Sequence, residues 1–344
     1  MNDGRECPGP RRILAILMVL LSMSLFVRAQ QSVVIVGSGS TVPAPLYNRL
    51  APEYGKHNSH VQMKYLPVGT SEGIKEISHG TGDFGAGEVP LSAKERADYG
   101  LIELPVVIVG IVPIYNLPGV QQLRLSGEVL AEIFLGDIKN WNTAQIAKLN
   151  PDIDLPNLPI RVFNRPAGKG SNYVFSEFLS KSSSKFREQV GISASPKWPV
   201  GEPADRSSDM ADKVKNQSGG IGYAELQYAL KGNIPHAAVL NPAGKFVHAS
   251  EQTLAEACQS IEAPRWNNFS ASLTEATSAD SFPIASFTWI YLRTKSADYA
   301  RGAALADFLD WMYTDGQQFA AQEGYASLPP SLLAAVRKKA RTLQ

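Results

Sequence analysis

Three short stretches place glycine beside serine or threonine just ahead of residues with helical apolar spacing. They are Gly37-Ser38-Gly39-Ser40-Thr41, Gly69-Thr70-Ser71 and Gly168-Lys169-Gly170-Ser171. The first turn of a helix carries N–H groups with no intrahelical partner and the positive end of the helix dipole. Glycine lets a ligand come close to the backbone, and a hydroxyl adds a donor. One such start is an ordinary cap; three, with Arg165 ahead of the third, point to a chain that closes around a small anion. The candidate donors are Thr41, Val42, Thr70, Arg165, Gly170 and Ser171. Glu88, in Asp83-Phe84-Gly85-Ala86-Gly87-Glu88, adds a carboxylate to the set. A carboxylate repels an anion unless that anion brings a proton, in which case it accepts the hydrogen bond and turns away a fully deprotonated competitor.

Other chemistries lack their residues. Gly37-Ser38-Gly39 has no third glycine at the dinucleotide-fingerprint position. A phosphate-loop reading of Gly168-Lys169 fails because Phe163 stands at the first glycine position and Gly170 follows the lysine. No Gly-x-Ser-x-Gly elbow is present. Of the five histidines, His57, His60, His79, His236 and His248, only the first two are near each other in sequence, with no carboxylate or cysteine beside them, so loop or surface roles are expected for all. The cysteines are Cys7 and Cys258; Cys258 sits in a helical pattern and is expected to be a buried, inert thiol. With no cysteine cluster, no activated nucleophile and no metal-ligand spacing, no cofactor is expected.

The elements that must position the anion donors repeat one unit. Val33–Val36 reads as a buried strand ending in the first glycine cluster, with a helix from Pro43 to Tyr54 after it. Val61–Tyr65 alternates like a strand, and Gly69-Thr70 opens a helix through Ile77. Ile160–Phe163 is a strand running into Asn164-Arg165, and Ser171–Leu179 is the helix beyond. This alternation implies an α/β fold with ligand groups at strand C-termini. Leu101–Ile114 reads as one strand, or two broken at Pro105 and Gly110, passing between lobes. Gly219–Tyr223 marks a tight approach before a helix, and Phe282–Leu292 is a further strand. Helices follow at Ala300–Tyr313 and Pro330–Leu343. Trp141, Trp198 and Phe84 are read as packing residues, and the charges of Lys181–Glu188 as a solvated helix face.

The first residues read as an export signal. Arg5, Arg11 and Arg12 precede an apolar run, Ile13–Val27, too short to span a bilayer comfortably, and Val27-Arg28-Ala29 supplies the small residue wanted at a cleavage site. Cleavage is expected after Ala29. The general secretory route fits better than the twin-arginine one, because the residues around Arg11-Arg12 match the latter poorly. About 315 residues then remain, enough for two lobes. Lys and Arg total 33 against 32 Asp and Glu. Such a balance gives no global basic field and argues against nucleic acid as a partner.

On these motifs the chain resembles the periplasmic phosphate-binding proteins of bacterial phosphate ABC transporters, over nearly all of the mature chain. The resemblance rests on Gly37-Ser-Gly-Ser-Thr-Val-Pro-Ala-Pro45, Gly69-Thr-Ser-Glu-Gly73, Asp83-Phe-Gly-Ala-Gly-Glu-Val-Pro-Leu91 and Phe134-Leu-Gly-Asp-Ile-Lys-Asn-Trp141. Arg165 to Phe175, Gly219-Gly-Ile-Gly-Tyr223 and Tyr325-Ala-Ser-Leu-Pro329 complete it. It implies a two-lobed type II binding fold with a hinged cleft: residues 1–29 as signal peptide, 30–107 and 273–344 as the first lobe, 108–272 as the second. It implies that the protein binds inorganic phosphate and passes it to permease subunits, as a monomeric periplasmic receptor and not an enzyme. Sulfate or a similar oxyanion, a secreted phosphoesterase on the same scaffold, and a sensory role remain alternatives.

Carried over residue by residue, the resemblance gives phosphate the Thr41 hydroxyl and N–H, the Val42 N–H, the Thr70 hydroxyl, Arg165, the Gly170 N–H and the Ser171 hydroxyl. Three departures stand out. Glu88 replaces the usual aspartate, Lys169 a frequent binding serine, and Ala167 an aspartate that often pairs with the arginine. If Lys169 points inward, the pocket edge gains about two units of positive charge over the family pattern. Lys169 is counted with the phosphate-binding residues and is expected to pair with Glu88 across the cleft, with a side chain pointing to solvent as the alternative.

Overall fold

The computed structural model describes residues 32–261, 269, 271–296 and 298–343. The signal segment and the cleavage point after Ala29 lie outside the described residues. Eleven strands lie among the described residues: β1 Val33–Gly39, β2 Val61–Leu66, β3 Phe84–Gly87, β4 Leu101–Tyr115, β5 Arg124–Leu125, β6 Arg161–Asn164, β7 Glu202–Pro203, β8 Gly220–Glu225, β9 Ala238–Leu240, β10 Phe246–Val247 and β11 Ala285–Arg293. Eight of them form one curled sheet in the order β2-β1-β3-β11-β4-β8-β6-β7, and β10-β9-β5 form a small second sheet. The fold is α/β and two-lobed.

β4 joins the two halves. Residues Leu101–Gly110 pair antiparallel with β11, while Ile111–Tyr115 pair antiparallel with β8. It is one strand of 15 residues, despite Pro105. Proline has no N–H to give a ladder, and the β11 register shifts between Thr288 and Trp289, where Trp289 faces Pro105. On either side of this junction lies a parallel set: β2, β1 and β3 in one half, β8, β6 and β7 in the other. Parallel strands send their C-terminal ends the same way, so the turns after β1, β3, β6 and β8 all open on the space between the halves.

Several elements differ from expectation. Gly220–Glu225 is itself a strand, buried along its whole length, with the helix Leu226–Gly232 after it. Phe84–Gly87 is a strand too short to announce itself by alternation. Lys181–Glu188 is not one helix face. The helix Gly170–Ser182 stops there, and Ser183 starts another at Ser184–Gln189, its side chain accepting the Phe186 N–H. The charged residues Lys181, Lys185, Arg187 and Glu188 are exposed, as expected, while Phe186 among them buries its ring completely.

Two aromatic groups anchor the halves. Tyr47 stacks on Tyr65 with centroids 4.6 Å apart and touches Phe84 at 5.4 Å. In the other half Phe175 stacks on Tyr223 at 4.3 Å, with Phe134 and Trp198 against them. Trp141 is fully buried and donates its indole N–H to the Gly219 carbonyl at 3.0 Å. Cys258 is buried, and burial pushes its thiol up to about 12, so it stays protonated. Among the described residues, no helix is long and apolar enough to cross a membrane.

Candidate anion site

The three glycine-and-hydroxyl stretches meet. They open the helices Ala44–His57, Thr70–Ser78 and Gly170–Ser182, and none of the three starts has a side-chain cap. Their N-cap residues are Pro43, Gly69 and Lys169, which bring no hydroxyl, and the hydroxyls one or two residues away are placed for other partners. Thr70 donates to Glu88 Oε2 at 3.3 Å, Thr41 accepts from Arg165 Nη2 at 3.4 Å, and Ser171 Oγ is buried with no partner. A buried unpartnered hydroxyl costs about 1–3 kcal/mol. Such an atom at an uncapped helix start marks a place where a ligand completes the hydrogen bonding.

In the first half, Ser40 organises the turn after β1. Its hydroxyl donates to Glu88 Oε2 at 2.6 Å and accepts the Val42 N–H at 3.0 Å. Tyrosines pin the backbone around it: Tyr65 donates to the Ser40 carbonyl at 2.7 Å and Tyr325 to the Val42 carbonyl at 2.6 Å. Glu88 follows β3 and has no exposure; its Oε2 takes the two hydroxyls while Oε1 has no partner. Burial pushes its carboxyl up to about 8. Hydrogen bonds from Ser40 and Thr70 and the Arg165 charge oppose the rise, and the Glu225 charge adds to it.

In the second half, Arg165 follows β6 and is 1% exposed. Its Nη1 donates to Ser207 Oγ at 2.9 Å and its Nη2 to the Asp205 carbonyl at 2.9 Å, while Nε has no partner. Ser207 in turn donates to Glu225 Oε1 at 3.0 Å. The backbone at Arg165 is fixed by Tyr223, whose hydroxyl accepts the Arg165 N–H and donates to Asn172. Asn172 holds the carbonyl of Pro166 at 2.7 Å.

The halves touch across the cleft. The Ser71 N–H donates to the Gly168 carbonyl at 3.2 Å, and Arg165 reaches Thr41. Glu88 Oε2 lies 1.8 Å from where a Cβ on residue 170 would sit, so any side chain there would have to displace the Glu88 carboxylate. The longer side chain at position 88 thus carries its carboxylate onto the start of the helix in the other half. Thr70, Glu88, Arg165 and Ser171 are all buried, as expected of a closed cleft.

Lys169 corrects an expectation. It does not pair with Glu88, nor does it point to solvent. Its Nζ lies 2.9 Å from Asp205 Oδ1, its side chain is 14% exposed, and the ammonium holds the Asp205 carboxyl below its usual range. The added charge is met inside its own half, so the pocket edge does not gain the net positive charge that positions 167 and 169 alone suggest. Ser40, Asp205, Ser207 and Glu225 were not among the sequence candidates. Glu225 ends a strand two residues beyond the Gly219–Tyr223 motif, and the rule that ligand groups gather at strand C-termini would have found it. Asp205 and Ser207 carry no local signal. His236 and His248, far apart in sequence, meet edge-on at 5.8 Å outside the cleft.

A family model described as the PBP superfamily domain matches residues 27–316. A curated phosphate-binding protein PstS from Xylella fastidiosa (strain 9a5c) is 34% identical over 305 residues, 88% of this chain and 84% of that protein. The PstS of Pasteurella multocida (strain Pm70) is 33% identical over 330 residues, 95% of each. The chain belongs to the PstS phosphate-binding protein family. Among solved structures, a high-affinity periplasmic phosphate-binding protein with phosphate bound superposes with a TM-score of 0.72 at 19% identity. It covers 88% of this chain and 93% of its own, a likeness of fold. This chain has a glutamate at 88 and a lysine at 169, with the contacts described above, and an exposed alanine at 167.

Proposed function

We propose that the protein binds inorganic phosphate in the closed cleft, through Thr41, Val42, Thr70, Glu88, Arg165, Gly170 and Ser171. It then delivers the ion to the permease subunits of an ABC transporter for import. Lys169, first counted among the binding groups, serves instead as the partner of Asp205. The observation that carries this reading is the set of three uncapped helix starts facing one buried carboxylate with a free oxygen. Donors from both halves replace a hydration shell without net positive charge, and Glu88 shares a single proton with the ligand. Phosphate near neutral pH has that proton to share; sulfate does not.

The relatives named as phosphate-binding proteins support the same role. In this reading the two lobes are residues 30–107 with 273–344, and 108–272, hinged where β4 changes partners. The mature protein acts as a monomer in the periplasm after cleavage near Ala29, and it binds without turning its ligand over. Calorimetric titration with phosphate, arsenate and sulfate at a pH above about 8, where Glu88 is ionised, tests ligand class, with tight binding of the first two and weak binding of sulfate expected. Incubation with an aryl phosphate tests receptor against phosphoesterase, with no release of phenol expected. Phosphate uptake in cells lacking the gene tests delivery to the permease.

A further inference from the structure

Arg165 and Lys169 bring two positive charges to this half of the cleft, and two carboxylates from other elements stand against them. Asp205 meets Lys169 directly at 2.9 Å. Arg165 has no direct carboxylate, but a guanidinium can only donate, so Ser207 accepts from it and is left to donate its own proton to Glu225 Oε1. Glu225 has no exposure, and its Oε2 has no partner. The negative charge that neutralises the guanidinium therefore sits two hydrogen bonds away instead of one. This leaves Arg165 Nε without a partner and free for the ligand.

We propose that Glu225 is a specificity-determining residue: through Ser207 it cancels the charge of Arg165 inside the closed cleft, so that an anion is selected by the proton it shares with Glu88 and not by its charge. This rests on the phosphate reading above. In a water-excluded site an uncompensated guanidinium attracts most strongly the anion with the most charge. A bare dianion such as sulfate gains more from losing Glu225 than phosphate does, because the proton between phosphate and Glu88 already covers part of its charge.

The test is competition calorimetry with phosphate and sulfate on the wild type, Glu225→Gln, Glu103→Gln and the double variant Ala167→Asp/Glu225→Gln. Glutamine keeps an oxygen to accept from Ser207 and removes only the charge. Glu225→Gln is expected to raise sulfate affinity relative to phosphate at least tenfold. Glu103, a buried carboxylate paired with Arg96, is the control and is expected to leave the ratio unchanged on substitution. Ala167→Asp is expected to restore the ratio in the Glu225→Gln background. An unchanged ratio in Glu225→Gln overturns the inference. Should that variant fail to fold, Ala167→Asp alone serves, because 167 is the position to which the family resemblance gives a carboxylate paired with the arginine, and such a charge is expected to weaken sulfate at least tenfold more than phosphate. Equal weakening overturns the inference alone, whereas a wild type that binds no phosphate overturns the reading of the cleft along with it.

Discussion

Outside the cleft, Ser92, Ser126, Ser250 and Asp298 each turn a side-chain oxygen onto an N–H of the helix they begin, at 3.1–3.2 Å. In the cleft the N-cap positions are held by Pro43, Gly69 and Lys169, none with a hydroxyl, and the neighbouring Thr41, Thr70 and Ser171 leave the helix starts uncapped. The local sequence differs in where the hydroxyl falls: at the cap outside the cleft, one or two residues from it inside. The displaced hydroxyls also meet different surroundings: Thr70 donates to Glu88, Arg165 engages Thr41, and Ser171 is buried with its oxygen unpartnered. A capped start contributes stability, about 1 kcal/mol each. An uncapped, buried start forgoes that stability and keeps its donors for a ligand.

The largest expected effect comes from putting a methyl group where the halves meet. Gly170→Ala places a carbon against Glu88 Oε2 and Thr70 Oγ1. Overpacking of about 1–3 kcal/mol corresponds to a loss of phosphate affinity of up to about a hundredfold. Calorimetry should read that loss, with the melting temperature of the ligand-free protein nearly unchanged. A variant that binds like the wild type would show that the cleft does not close on this contact.

The next effect is a pH dependence. The Glu88 carboxyl titrates near 8 in the folded protein, above the 4.5 of a free glutamate. A raised carboxyl pKa means that the folded protein prefers the neutral form. Its contribution to stability is complete below about 4.5 and is lost as pH rises through about 8. The ligand-free wild type should therefore lose melting temperature between pH 5.5 and 8.5 relative to Glu88→Gln. The same titration acts on selectivity. Below about 8 a neutral Glu88 can donate to a bare anion, and above it only an anion bringing its own proton fits, so rejection of sulfate should sharpen as pH rises.

A paired substitution sets the two kinds of helix start against each other most directly. Ser250→Ala should cost about 1 kcal/mol of stability, read as a shift in denaturation midpoint, and leave phosphate binding alone. Ser171→Ala removes an unpartnered hydroxyl, so it should leave stability unchanged or slightly higher while weakening phosphate by roughly fivefold, about 1 kcal/mol. Stability loss at Ser171 without a binding defect would make it an ordinary structural serine.

These starts were legible in the sequence because their signal is local: glycine, a hydroxyl and the onset of helical spacing lie within a few residues. Arg165 was legible for the same reason, standing five residues before Gly170. The strand-turn-helix units gave the α/β class, since their periodicities change where the turns fall. The charge balance was not legible. Lys169 is equally suited by type to Glu88 or Asp205, and only the folding of the Glu202–Ser207 segment against β6 decides for Asp205. Ser207 and Glu225 reach Arg165 from two further elements, so no spacing connects them. β3 went unrecognised because four residues buried on every side show no alternation.

The central claim is that Glu88 reads the proton of the bound anion. Titrating the wild type and Glu88→Gln with phosphate and sulfate at pH 8.5 tests it most directly. The account predicts that the wild type binds phosphate at least about a hundredfold more tightly than sulfate, and that the amide, which can donate to a bare oxyanion, narrows that gap by about tenfold or more. A gap of the same size in both proteins would contradict it.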